Sequence, residues 1–306
     1  MRSEEIRILA SILKTTLLLA VLTGLFLGIG SFFGGQQGAL IALVVAALFN
    51  FGTYWFSSSL VLKMQGAVAL EPKDEVYHKI EPMVRDLANK DGLPMPKLYF
   101  VDTPIPNAFA TGRNPKHAVV AVTSGIMEIL NDAELKAVLG HELGHVKNRD
   151  MLISTIAATI AGAISYIAQF AFFFTGGNDE DAPNPIAAIA MMILAPFAAL
   201  LIQMAVSRSR EFAADQHGAH LDGTGSHLAS ALQKLEDFKG SVPPLQPTPG
   251  EQSTSHLMFA NMFSMQGVAS LFSTHPSTKD RVARLNAFNA RQSERGAVGG
   301  PILERR

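Results

Sequence analysis

The chain contains no cysteine. That excludes disulfides and thiolate metal ligands, so any bound zinc must rely on histidine and carboxylate. It also fits a reducing compartment. Neither sign of charge is in excess: 25 Lys and Arg face 26 Asp and Glu, for a formal net charge of −1. Nothing global therefore points to nucleic acid as a partner. No internal repeat is visible. Charge is nearly missing from the long apolar stretches, which weighs against a transporter or channel, because such proteins place ionisable groups along their paths. Apolar residues, by contrast, are plentiful. They make up 48% of the 306 residues, and the mean hydropathy of +0.22 is high for a soluble enzyme.

The apolar residues are concentrated in four stretches. Thr15 to Phe33 and Gly38 to Tyr54 are almost wholly apolar and long enough to cross a bilayer. Ile153 to Phe174 and Ile186 to Val206 form a weaker pair, diluted by Ser154, Thr155, Thr159, Ser165 and Gln169 and interrupted by Pro196. Four transmembrane helices are expected, with a buried helical hairpin as the alternative for the second pair. Asn50 reads as a helix–helix hydrogen bond within the first pair. The turn at Gly34 to Gln37 is uncharged, and the loop from Thr175 to Pro185 carries Asp179, Glu180 and Asp181 without a basic residue. Arg2, Arg7, Lys14, Lys63, Lys147, Arg149, Arg208 and Arg210 lie on the opposite flanks. The positive-inside rule then places both termini and the large polar segments in the cytoplasm. The first apolar segment reads as an uncleaved anchor, since it lacks a small-x-small cleavage site and a second segment follows at once.

Four parts are expected: a transmembrane hairpin at 1–61, a polar part at 62–150, a second hairpin at 151–206 and a second polar part at 207–306. In the first polar part, Val76, Ile80, Val84 and Leu87 predict a helix from Lys73 to Lys90, ended by Asp91-Gly92. Short β-like runs follow at Leu98 to Val101, Ala108 to Thr111 and Ala118 to Thr123, with a turn at Gly112 to Lys116. Asn131 and Glu134 read as a capping box opening a helix that runs on past Arg149 into the third apolar segment. Pro243 to Gly250 reads as a loop able to occlude a site. The tail from Ser293 onward reads as lacking order.

That capped helix carries His141-Glu142-Leu143-Gly144-His145. Histidines four apart share a helix face and can grip one zinc ion, while the intervening glutamate can reach a water on it. A catalytic zinc site needs a third protein ligand. After the fourth apolar stretch, Glu211 and Asp215 share a helix face, which suits Glu211 as that ligand and Asp215 as hydrogen-bond acceptor for a zinc histidine. If the second apolar pair crosses and returns, its ends bring these two helices together. His217 and His220, three apart, read as packing or solvent-facing residues rather than a second metal site. His78, His117, His227 and His256 receive no role.

Taken together, these motifs and the four apolar segments resemble the M48 family of integral-membrane zinc metallopeptidases, most closely its heat-shock members of the bacterial inner membrane. The resemblance covers nearly the whole chain, to about Arg284. It implies an α+β membrane protein: mainly helical, with four transmembrane helices and a cytoplasmic zincin-like metalloprotease domain containing a small β-sheet. It implies one Zn2+ per chain on His141, His145 and Glu211, with Glu142 as general base. Pro106 to Gly112 is similar to the family's edge strand, which makes Asn107, Ala108, Phe109 and Ala110 substrate-binding residues by strand addition. Thr274-His275-Pro276 with Arg281 resembles the element that stabilises the tetrahedral intermediate. The implied partners are the lipid bilayer and unfolded or misfolded membrane proteins. The sequence carries no signal of oligomeric state. The alternative is a zinc-dependent membrane scaffold or holdase without proteolysis, and Glu142 weighs against it because holding a metal requires no base.

Overall fold

The computed structural model describes residues 2–152, 156, 208–241 and 276–298. Helix α1 spans Arg2–Met64 and is bent into two arms at Gly34 (φ −136°, ψ 15°) and Gly35 (φ 57°, ψ −142°). A side chain at Gly35 would resist that positive φ, so glycine permits the reversal. The arms fold back on each other. Asn50 Nδ2 donates to Thr23 Oγ1 at 2.9 Å and to Leu19 O at 3.4 Å, which is the expected interhelical bond.

The second arm is built inside out. Ala42, Ala46, Thr53 and Ser57 are buried, whereas Leu40, Ile41, Val44, Leu48, Phe51 and Phe56 are exposed. Water would penalise that arrangement, and a hydrocarbon solvent would not. Gly34–Met64 is the one described helix long and apolar enough to cross a membrane by length and composition. Four were expected: Gly38 to Tyr54 lies in this arm, Thr15 to Phe33 lies in the first arm of α1, outside that span, and Ile153 to Phe174 (Ile156 apart) and Ile186 to Val206 lie outside the described residues.

After α1 come β1 (Val68–Ala69), α2 (Glu75–Asp91), β2 (Lys97–Val101), β3 (Ala108–Thr111), a 3-10 turn (Pro115–His117), β4 (Val119–Thr123), α3 (Ser124–Ile129) and α4 (Asp132–Asn148). The later described helices are α5 (Arg208–Asp222), α6 (Ser226–Ser241) and α7 (Thr278–Val298). Order therefore continues through α7 to Val298, beyond Ser293 where the sequence suggested it would end. The strand order is β1-β2-β4-β3, with β2 and β4 parallel and the other pairs antiparallel. One sheet face packs Leu98, Ala108, Ala110, Val120 and Val122 into a core shared with α2, α4, α6 and α7. The opposite face packs Val101, Phe109, Val119 and Ala121 against Val61 and Leu62 at the end of α1.

Local signals explain the element ends. Gly92 closes α2 in a left-handed cap (φ 67°). At α4 the capping box is complete, with the Asn131 side chain accepting from Glu134 N–H and the Glu134 side chain accepting from Asn131 N–H. The same Glu134 carboxylate accepts from Lys234 Nζ and Ser230 Oγ, both at 2.7 Å, and so fastens α4 to α6. One expectation needs correcting. Helix α4 does not run on past Arg149; it ends at Asn148, where Arg149 turns left-handed (φ 58°) and its N–H bonds back to His145 and Val146 carbonyls. Helical backbone resumes at residues 150–152.

Burial works against the charge on Glu134, but the bonds from Lys234, Ser230 and Asn131 outweigh it and hold the carboxyl below its usual range. Its contribution is therefore complete above the ordinary carboxylate pKa and is lost as pH falls through the lowered value. Glu134→Ala is expected to reduce stability by roughly 1–2 kcal/mol at neutral pH. Unfolding in detergent should show that gap closing in acid; a gap independent of pH would show that packing, not charge, carries it.

Candidate active site

Helices α4 and α5 cross at unusually short range because small residues meet there. A Cβ on Gly218 would lie 2.8 Å from His141 N and 3.1 Å from His141 Cα. One on Gly144 would lie 3.2 Å from Ala214 Cα. Gly140 and Gly144 are four apart on α4, and Ala214 and Gly218 are four apart on α5, so each helix presents a smooth strip to the other. The strips set the backbones close enough for Glu211 of α5 to reach the two histidines of α4.

His141, Glu142 and Glu211 are buried, and His145 is nearly so. His141 Nε2 and His145 Nε2 lie 3.1 Å apart. Glu211 Oε1 is 3.5 Å from His145 Nε2, and its Oε2 is 3.8 Å from His141 Nε2. One ligand atom from each of the three residues falls within 4.8 Å of the others. Bond lengths of about 2.0–2.1 Å in a tetrahedral zinc site put two imidazole nitrogens roughly 3.3 Å apart, so the set fits such an ion.

The outer nitrogens explain why the inner ones converge. His141 Nδ1–H donates to Asp215 Oδ1 at 2.9 Å, and His145 Nδ1 faces Asp150 Oδ2 at 3.5 Å. An aspartate fixes the proton on Nδ1 and leaves Nε2 with a lone pair. Two lone pairs and a carboxylate then point at one small volume, an arrangement that calls for a cation. Asp215 is gripped in turn by Arg281, whose Nε and Nη2 donate to it at 2.9 and 2.6 Å. Arg281 is fully buried, with Nη1 4.0 Å from Glu211 Oε2. His275 lies outside the described residues, as does the loop Pro243 to Gly250.

Protonation follows these contacts. Burial, aided by His145 and Arg281, holds His141 down to about 4 despite Asp215. Burial also pushes Glu142 up to about 7, with the charge of Glu211 adding to it. At His145 burial opposes the cation, but the hydrogen bond of Asp150 and the charges of Glu211 and Glu142 prevail and raise it to about 9. Without a metal, the raised pKa of His145 favours a proton on its Nε2, and a metal ion would have to displace that proton to use the lone pair.

Strand β3 borders the cluster. Asn107 is buried, its N–H donating to Thr123 Oγ1 at 2.8 Å and its carbonyl accepting from Thr123 N–H at 3.0 Å. By the antiparallel alternation, the backbone groups of Ala108 and Ala110 face away from β4, toward the open side of the described sheet. Ala110 N–H donates to Glu142 Oε2 at 2.9 Å, which ties the strand to the motif. Phe109 points to the opposite face, toward α1. His217 and His220 diverge: the first bonds Asp91 Oδ2 at 2.8 Å, and the second packs on Phe288.

Sequence reasoning missed Asp150. It stands five residues after His145, outside the three-or-four spacing that marks a shared helix face. Only the left-handed break at Arg149 brings it back.

An M48 peptidase is the class that this arrangement defines, and the chain belongs to peptidase family M48, which matches residues 75–289. Its relatives narrow the group. The protease HtpX homolog of Methylibium petroleiphilum is 52% identical over 279 residues, covering 91% of this chain and 98% of that protein. The protease HtpX homolog of a Sulfurihydrogenibium species is 50% identical over 297 residues, covering 94% and 99%. That of Ralstonia nicotianae is 50% identical over 274 residues, covering 89% and 95%. Among solved structures, Ste24p of S. mikatae aligns over 92% of this chain and 67% of its own, at 17% identity and a TM-score of 0.48.

Any side chain at Gly218 must push α5 away from the His141 backbone. Gly218→Ala is expected to cost about 1–3 kcal/mol in stability. It should also weaken metal binding more than the distant Glu134→Ala does. Metal titration of both variants checks this; equal affinities would show that the close crossing does not set the ligand geometry.

Proposed function

We propose that this chain is a membrane-bound, zinc-dependent endopeptidase acting at the cytoplasmic face. The observation that carries the reading is the convergence of two imidazole Nε2 atoms and one carboxylate while an aspartate faces each Nδ1. A zinc ion held by His141, His145 and Glu211, one per chain, would supply Lewis-acid polarisation of the scissile carbonyl and acidify the attacking water. Glu142 takes the proton of that water and returns it to the leaving amine. Its hydrogen bond from Ala110 keeps the carboxylate between the metal ligands and the edge strand.

An extended substrate segment pairs with the outward backbone groups along Asn107, Ala108, Phe109 and Ala110. Pairing at Ala110 draws on the N–H that now holds Glu142. Arg281 serves the reaction through Asp215 and adds positive potential beside Glu211. His275 keeps the role that the family resemblance implies, a donor to the developing oxyanion.

The outward apolar surface of the second α1 arm supports a bilayer as partner. Basic residues on the flanks of the apolar segments support a cytoplasmic site and termini in a multi-pass protein of the bacterial inner membrane. Main-chain pairing selects weakly for sequence, which suits quality control of misfolded membrane proteins.

Detergent-purified wild type should cleave an unfolded polypeptide in a zinc-dependent manner. Glu142→Ala should retain about one zinc per chain while cleavage falls at least about 100-fold. Zinc content and cleavage measured on the same samples decide the matter. Bound zinc without cleavage of any polypeptide, native membrane proteins included, would favour the scaffold reading.

A further inference from the structure

The two ligand histidines are supported in the same way. His141 Nδ1 meets Asp215, and Asp215 meets the buried Arg281. His145 Nδ1 meets Asp150 Oδ2 at 3.5 Å, and Asp150 Oδ1 lies 3.9 Å from Arg210 Nε. Asp150 is buried, and the Arg210 side chain is 12% exposed. Each ligand thus heads a His–Asp–Arg chain. The first joins α4, α5 and α7, and the second joins α4, the segment after it and α5.

The second chain depends on a backbone feature that local sequence preference disfavours. Five residues along an unbroken helix is a rotation of about 500°, which would put Asp150 about 140° away from His145. Arg149 instead adopts φ 58°, the one positive φ at a non-glycine position among the described residues. With Arg149 so turned, the Asp150 carboxylate comes to 3.5 Å from the His145 ring. A residue with a side chain in this conformation persists only where the surroundings impose it.

We propose that Asp150, steadied by Arg210, is a positioning residue for His145: it sets the tautomer and ring orientation with which His145 meets the metal, as Asp215 does for His141. This inference rests on the metal reading above. It adds that the site has two outer carboxylates rather than one, and that the break at Arg149 exists to deliver the second.

The test is zinc affinity of the full chain in detergent, by competition with a chromophoric chelator, for wild type, Asp150→Asn, Asp150→Ala and Arg210→Gln. Loss of an outer carboxylate costs about 10- to 100-fold in metal affinity. Asp150→Ala should fall in that range and Asp150→Asn near its lower end. Arg210→Gln should weaken binding in the wild-type background and have no further effect beside Asp150→Ala. The visible spectrum of the cobalt-substituted protein should shift in both Asp150 variants, because a ligand ring that reorients changes the metal's field; a purely structural ion pair with Arg210 would leave that spectrum unmoved. If Asp150→Ala fails to fold, the isosteric Asp150→Asn decides by the same two readouts. Wild-type zinc affinity and an unshifted cobalt spectrum in Asp150→Asn would overturn the proposal and leave the metal site standing. A wild-type chain that takes up no zinc would overturn both.

Discussion

The backbone contact between α4 and α5 is the constraint on which the site depends. Gly218 lies against the amide of His141, with no room for even a methyl group. The triad that could hold a metal draws two members from α4 and one from α5, so its geometry is the geometry of this crossing. Small residues at the contact exchange side-chain burial for proximity. What they give up is recovered by the leucines at Leu135, Leu139 and Leu143, which lie on other sides of α4 and are fully buried. The site is therefore set by two rigid helices rather than by loops, which suits ligands that must converge to within a few tenths of an ångström.

Crowding charge into this crossing has a price that the surrounding pairs offset. Glu142, Glu211, Asp150 and Asp215 are all buried, as are His141 and Arg281. Isolated buried charges are strongly unfavourable, so each must be paired. Arg281 forks onto Asp215 and approaches Glu211, while Arg210 approaches Asp150. At Glu142 burial prevails instead and, with the charge of Glu211 adding to it, holds the carboxyl up to about 7. The balance shifts once a divalent cation occupies the ligands, which ties metal binding to the stability of the crossing itself.

Much of this was legible in the sequence, for reasons that differ by residue. His141, Glu142 and His145 could be read because their relationship is local, fixed by one helical turn. Asn131 and Glu134 could be read for the same reason, and the capping box is present. Pairing Glu211 with them required a topological argument, that an apolar hairpin returns its ends together, and the structure does place these residues side by side. Asp150 escaped because its contact is made through a left-handed Arg149, and arginine gives no sign of that conformation. The partner of Arg281 was not legible either: its guanidinium bonds Asp215, a contact across 66 positions that spacing does not reveal. Strand β1, two residues long, and the short helix α3 carry too little periodicity to stand out.

The edge strand joins the site to the apolar hairpin. Phe109 faces Val61 and Leu62 of α1, while its neighbours Ala108 and Ala110 face the core beside α4. One strand thus has the α1 terminus on one side and the Glu142 helix on the other. A second contact lies farther along the same β-hairpin, where Arg113 stacks over Trp55 at 4.3 Å. Trp55 stands among exposed aromatics near the end of the apolar arm, with Phe51 and Phe56. Indole rings favour the boundary between hydrocarbon and water, and a guanidinium above one is held at the same level. Strand β3 is therefore fixed relative to α1 as well as relative to the His141, His145 and Glu211 cluster. Strand β3 thus meets Val61 and Leu62 of α1 through Phe109 and the Glu142 carboxylate through the Ala110 N–H, two contacts made by adjacent residues of one strand.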